Sequence, residues 1–159
     1  MNQVDQMARG SESSNTRAIV VEEVIPHSQT KVWEAITRHD YLDRWLMKND
    51  FEPVVGHRFT FQAQPMGDWD GVVHCEVLQC DAPNVLSYSW VGGSAKNPGV
   101  GSVLDSTLTI TLTPVEGGTR FRLVHDGFRS PENDAGFTAM SSGWGGIIKR
   151  IEALLAEKS

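Results

Sequence analysis

The cleanest pattern in the chain is LDSTLTITLT (104–113). Leu104, Leu108, Ile110 and Leu112 fall on one face of an extended segment and four threonines on the other. That alternation predicts a strand with one buried face. Similar alternation predicts strands in HRFTFQA (57–63), with Phe59, Phe61 and Ala63 in phase; in GVVHCEVLQ (71–79), with Val73, Cys75 and Val77; in VLSYSW (85–90), with Leu86, Tyr88 and Trp90; and in RFRLVHDGF (120–128), with Phe121, Leu123 and His125. The segments between them, PMGD (65–68), APN (82–84), GGSAKNPGVGS (92–102) and PVEGGT (114–119), have turn and loop composition. RAIVVEEVI (17–25) is β-branched and reads as a strand ended by Pro26, although Glu22 and Glu23 occupy both parities.

Two segments carry helical spacing before the strands begin. Ser28 is placed to cap a helix holding Val32, Trp33 and Ile36. Asp40 is placed to cap a second short helix, YLDRWLM, with Tyr41, Leu42 and Trp45 on its apolar face. The chain closes on a longer helix over 133–157, whose stripe of Phe137, Met140, Trp144, Ile148, Ile151 and Leu155 recurs every three or four residues. Gly143, Gly145 and Gly146 interrupt it, each at about 1 kcal/mol relative to Ala.

Strands joined by short turns form an antiparallel meander, and a sheet with one apolar face needs a cover. Only the last helix is long enough to supply it. The class is therefore α+β. Burial of Ile148 and Ile151 fits this arrangement, whereas their exposure would mark a homodimer interface.

Composition narrows the function classes. The 159 residues are 40% hydrophobic, enough for one domain with a core, and the formal net charge is -6. No Lys/Arg run exceeds two residues, so no nucleic-acid partner is expected. No apolar run approaches a membrane span. Residues 1–16 are polar and read as a disordered tail ahead of a domain over 17–159, and a cytoplasmic location is expected. Cys75 and Cys80 match neither a zinc nor a redox spacing; on one regular strand they point to opposite faces. No HxH, HExxH, GxSxG, phosphate-loop or dinucleotide-binding pattern occurs, so no metal, cofactor or catalytic constellation is expected. Asp68, Asp70 and Glu76 could be read as paired carboxylates, but a solvated loop and the outer sheet face suit them better.

The order of elements, with the segments HSQTKVWEAITRHDYLDRW, NVLSYSW, RLVHDGF and GWGGIIKRIEALL, resembles the START-like superfamily. This is the helix-grip fold of the birch-pollen allergen, and the branch resembled is that of homologues of the activator of heat-shock-protein-90 ATPase, C-terminal domain. The resemblance covers about residues 17–157. It implies a curved antiparallel sheet around the long C-terminal helix, two short helices after the first strand, and a cavity between sheet and helix. Many relatives carry a second tryptophan beside the one at Trp45, where this chain has Leu46.

With that fold, the inward residues Phe59, Phe61, Leu86, Trp90, Leu108, Phe121, Met140 and Trp144 become apolar cavity wall, and Tyr88 and His125 its polar anchors. Tyr88 is the best candidate partner for His125. Gly143 and Gly145 flank Trp144 and would allow close packing, whereas Gly146 points away as a kink or hinge. Loop 92–102 would frame the mouth. The expected function is non-enzymatic binding of a small apolar or aromatic molecule. The alternatives are a chaperone-regulator-like interaction module, and a cyclase or dehydratase using the same cavity. If Trp90, Trp144 and Met140 fill the space, the interaction module gains on the binder.

Overall fold

The alternation over 104–113 becomes one of the two longest strands in a computed structural model of the chain, which describes residues 16–97, 99 and 101–157. The elements are β1 (Thr16–Ile25), α1 (Gln29–Thr37), α2 (His39–Trp45), β2 (Lys48–Asn49), β3 (Arg58–Gln62), β4 (Val72–Asp81), β5 (Val85–Gly92), β6 (Leu104–Val115), β7 (Gly118–Arg129), α3 (Asp134–Gly145) and α4 (Ile147–Glu157). The strands make one seven-stranded sheet in the order β1-β7-β6-β5-β4-β3-β2. All neighbours are antiparallel. The first strand thus closes one edge beside the last, with Ile25 opposite Thr119 and Ile19 opposite His125. This is the helix-grip α+β arrangement.

The sheet's inner face and α4 enclose the core. Ile147, Ile148, Ile151, Leu154 and Leu155 are all buried, so the helix stripe is satisfied within one chain. The two short helices pack on the same side. Ser28 caps α1 by accepting from the Lys31 amide, and the Trp45 indole donates to the Ala35 carbonyl at 2.8 Å, tying α2 to α1. Arg44 and Glu157 join α2 to the end of α4 at 2.8 Å.

The structure departs from the sequence reading in five places. The terminal helix comes in two pieces: Gly146 lies between them with φ -98° and ψ -4°. Its amide bonds the Gly143 carbonyl three residues back, a tighter turn than the α-helix makes. The kink expected at Gly146 is there, without a positive φ. Gly143 and Gly145 serve no close packing, since a Cβ on either meets no atom within 4 Å. Second, α2 begins at His39, so Asp40 sits in its first turn and pairs with Arg38 at 3.0 Å in place of capping.

Third, a bulge between Val77 and Gln79 moves β4 by one residue. It brings Cys80 opposite Leu86, on the same inner face as Cys75, because the extra residue shifts every later side chain to the other face. Both thiols are free, Cys75 buried and Cys80 half-buried. Fourth, the sequence pattern omitted β2, which is two residues long. Fifth, Thr16 already belongs to β1. The rest of the tail expected over residues 1–16 lies outside the described residues.

Candidate functional site

His125 lies on β7 in phase with Phe121 and Leu123, and its side chain has no exposed surface. Its partners define its state. The Trp144 indole donates to Nδ1 at 3.0 Å, so Nδ1 is the bare nitrogen. Nε2 therefore carries the proton and faces Ser106 Oγ at 2.8 Å, and that hydroxyl donates to the Trp90 carbonyl at 2.8 Å. The chain of bonds satisfies every polar atom of a neutral imidazole. Burial pushes its pKa down to about 3.

Tyr88, the partner expected for His125, takes no part. Its hydroxyl is buried without a hydrogen bond among the described residues, and burial raises its pKa well above the usual phenol range. The actual partners are Trp144 and Ser106, and Ser106 stands at the one polar position in the inward row Leu104, Ser106, Leu108, Ile110, Leu112. That break in the row was the signal available in the sequence.

Packed aromatic rings fill the centre of the fold. Phe51 and Tyr88 both meet Phe59 edge-on, at 5.1 and 5.2 Å between centroids. Phe61 lies 5.3 Å from Trp90, and Trp90 5.7 Å from Trp144. Phe51 comes from the loop after β2 and had no place in the strand pattern. Phe59, Phe61, Leu86, Tyr88, Leu108, Phe121 and His125 are all in this packed interior, at 3% exposure or less. Of the ten predicted site residues, eight wall and two anchor, the described clefts bring together Trp90, Met140 and Trp144.

Those three mark where open space does exist, under α3. An inner lobe of about 80 Å³ is bounded by Trp69, Val73, Trp90, Leu104, Phe128 and Met140, with Gly92, Gly93, Gly101 and Gly136 between them. Loop 92–102, expected to frame the mouth of a central cavity, instead supplies one wall of this inner lobe. Gly93 holds φ +95° there, and a Cβ on it would strike the Ser102 carbonyl. Beyond a shared wall of Trp90, Ala139 and Met140 lies an outer lobe of about 240 Å³, lined also by Leu46, Met47, Gly143, Trp144, Ile147 and Arg150. Together the lobes come to the lower end of the roughly 300–1,000 Å³ usual for small-molecule sites. The helix above them buries only Trp144 and ends at the Gly146 break.

Inner-lobe polar groups are largely committed. Asn133 Nδ2 donates to Ser102 Oγ and to the Val103 carbonyl, and Ser102 Oγ donates to the Glu132 carbonyl. Trp69 Nε1 donates to the Val72 carbonyl. The larger clefts beside loop 92–102 are polar and open, with Asp105, Arg129 and Glu132 on one and Asp68, Asp70 and His74 on the other. Of the three carboxylates considered as pairs, Asp70 accepts from the Val72 amide and Glu76 lies 3.6 Å from Arg58, while Asp68 shares the polar cleft of Asp70. Among the described residues no group of three or more His, Cys, Asp or Glu could hold a metal, and no helix is long and apolar enough to cross a membrane.

Residues 26–156 match a family model described as Activator of Hsp90 ATPase homolog 1-like protein. Among solved structures, the chain is similar to protein MLL2253 from Mesorhizobium loti, at 39% identity and TM-score 0.80, covering 90% of this chain and 99% of that one. Protein BH1534 from Bacillus halodurans shares 26% identity at TM-score 0.68, over 86% of this chain and 95% of that one. CalU16 from Micromonospora echinospora, at 19% identity and TM-score 0.65 over 88% of this chain and 74% of its own, shares the fold. No curated protein matches the chain.

Proposed function

The chain belongs to the Activator of Hsp90 ATPase homolog 1-like family, and from that premise we propose that it binds a small, mainly apolar molecule, without turnover, in the two-lobed cleft under α3. The observation that carries this reading is the shared wall of Trp90, Ala139 and Met140: two apolar lobes meet there beneath a helix that buries only one side chain and ends at a glycine break. The site shifts from the sheet centre to its rim. Trp90, Met140 and Trp144 stay in it; Trp69, Phe128 and Leu46 join them.

The same geometry argues against the cyclase or dehydratase alternative. His125 and Tyr88, the two groups suited to proton transfer, have no exposed surface, and neither lines a described cleft. A general acid or base must come within hydrogen-bond reach of its substrate.

Displacement of an apolar fluorescent dye tests the proposal. Ala139 is exposed on α3 and lines both lobes, so Ala139→Trp should fill the cleft at little cost to folding and abolish dye binding. Dye binding unchanged in that variant would overturn the reading. Native mass spectrometry of fresh protein should show a retained small molecule, absent from Ala139→Trp.

The filled centre favours a second reading, a chaperone-regulator-like interaction module, because seven of the ten expected site residues lie in packed core. Acceleration of a heat-shock-protein-90 ATPase by both the parent chain and Ala139→Trp would support it over the cleft.

A further inference from the structure

Among the described residues, Arg150 is the one charged residue on the lining of either lobe. It projects from the first turn of α4, exposed, and Nη2 lies 4.0 Å from where a Cβ on Gly146 would stand. The guanidinium thus lies over the Gly146 break, beside the outer lobe. Its helix offers no acid at three or four residues in either direction: Gly146, Ile147, Ala153 and Leu154 occupy those positions. Among the described residues it makes no ion pair, which it shares with Arg120 and Arg129, while Arg17, Arg38, Arg44, Arg58 and Arg122 each lie within 4 Å of a carboxylate; of the three, Arg150 alone lines the apolar lobes. On a chain of net charge -6, that is an uncommitted cation at the edge of an apolar site.

The polar capacity of the cleft is one-sided. In the inner lobe the side-chain donors of Asn133, Ser102 and Trp69 are spent on protein acceptors. A ligand therefore meets hydrocarbon at the inner end and the guanidinium of Arg150 at the outer end. A guanidinium forks onto a carboxylate through two parallel N–H donors.

We propose that the cleft is built for an amphiphilic monocarboxylate, its hydrocarbon end in the inner lobe past Met140 and its carboxylate on Arg150. This rests on the reading of the cleft as a ligand site and names the class of molecule it takes. Met140, half-buried and unbranched, can turn aside to let one chain run through both lobes. Ligand affinity should rise about fourfold per added methylene until the lobes are full, then level off.

The test titrates octanoate and octan-1-ol, equal in chain and different in charge, into the full chain at low ionic strength, read by the fluorescence of Trp69, Trp90 and Trp144 in the cleft walls. Octanoate should bind about tenfold tighter than octanol. Arg150→Gln should remove that advantage and leave octanol unchanged, Arg150→Lys should restore part of it, and Ala139→Trp should abolish both. Arg150 is exposed, so these variants should keep the parent melting temperature. Equal binding of the two ligands, or octanoate binding that Arg150→Gln does not weaken, would overturn the assignment of the carboxylate while the cleft stands. Binding of neither ligand would remove both readings.

Discussion

Trp144 donates its indole N–H to Nδ1 of His125 across 3.0 Å, inside a core where His125 has no exposed surface. The bond joins the last turn of α3 to β7 just before the helix breaks at Gly146. It fixes the imidazole as the Nε2–H tautomer and leaves no vacant position on the ring. The same pair forms an edge-on contact with centroids 5.9 Å apart, so one ring both packs on and saturates the other.

Acid should destabilise the protein through His125. The unfolded histidine titrates near about 6.5, and burial holds the folded one to about 3. Below pH 6.5 the unfolded chain binds a proton that the native chain refuses, so this group's contribution is complete above that pH. It is lost as pH falls toward the folded value, at about 1.4 kcal/mol per pH unit. In urea unfolding, parent and His125→Phe should therefore differ most near pH 7.5, and the gap should narrow down to pH 4.5. A gap constant with pH would show that the histidine titrates alike in the folded and unfolded chains and that its burial does not hold off the proton.

Trp144→Phe should cost about 1–3 kcal/mol beyond lost ring contacts, because it leaves Nδ1 a buried acceptor with no donor. A double-mutant cycle with His125→Phe isolates the bond, and coupling of about 0.5–3 kcal/mol is expected. Additive single changes would show that the contact contributes packing alone.

Tyr88→Phe should be neutral or stabilise by about 1 kcal/mol. The hydroxyl has no partner among the described residues, and an unsatisfied buried polar group costs about 1–3 kcal/mol. The ring contacts with Phe51, Phe59 and Phe61 survive the change. A loss of melting temperature would show that the hydroxyl is hydrogen-bonded in solution.

Gly145→Ala and Gly146→Ala should each stabilise by about 0.5–1 kcal/mol. A Cβ at Gly145 meets nothing within 4 Å; one at Gly146 makes ordinary contacts at 3.9 and 4.0 Å, with φ already negative. Thermal unfolding checks both. Destabilisation by Gly146→Ala would mean that the break needs glycine for a conformation other than this one.

Local patterns alone determined most of the architecture. Leu104 to Leu112 alternate because one face of β6 meets the core and the other meets water, and Ile148, Ile151 and Leu155 recur at helical spacing because α4 does the same. Each rule acts between residues a few positions apart, so sequence records it directly. The inward parity of Tyr88, Trp90 and His125 was legible on the same ground. What those side chains touch was decided by register and curvature. Register sets Trp90 opposite Ser106 and Leu108 opposite His125, and so hands the histidine to a serine from the neighbouring strand. The bulge after Val77 turned Cys80 inward against strict alternation. Phe51 reached the centre from a loop with no period to betray it. Whether a centre is hollow depends on the volume of all these side chains against the bend of one sheet, a sum over contacts distant in the chain. Only the folded protein carries it out, and here it closed the middle and left the space under α3.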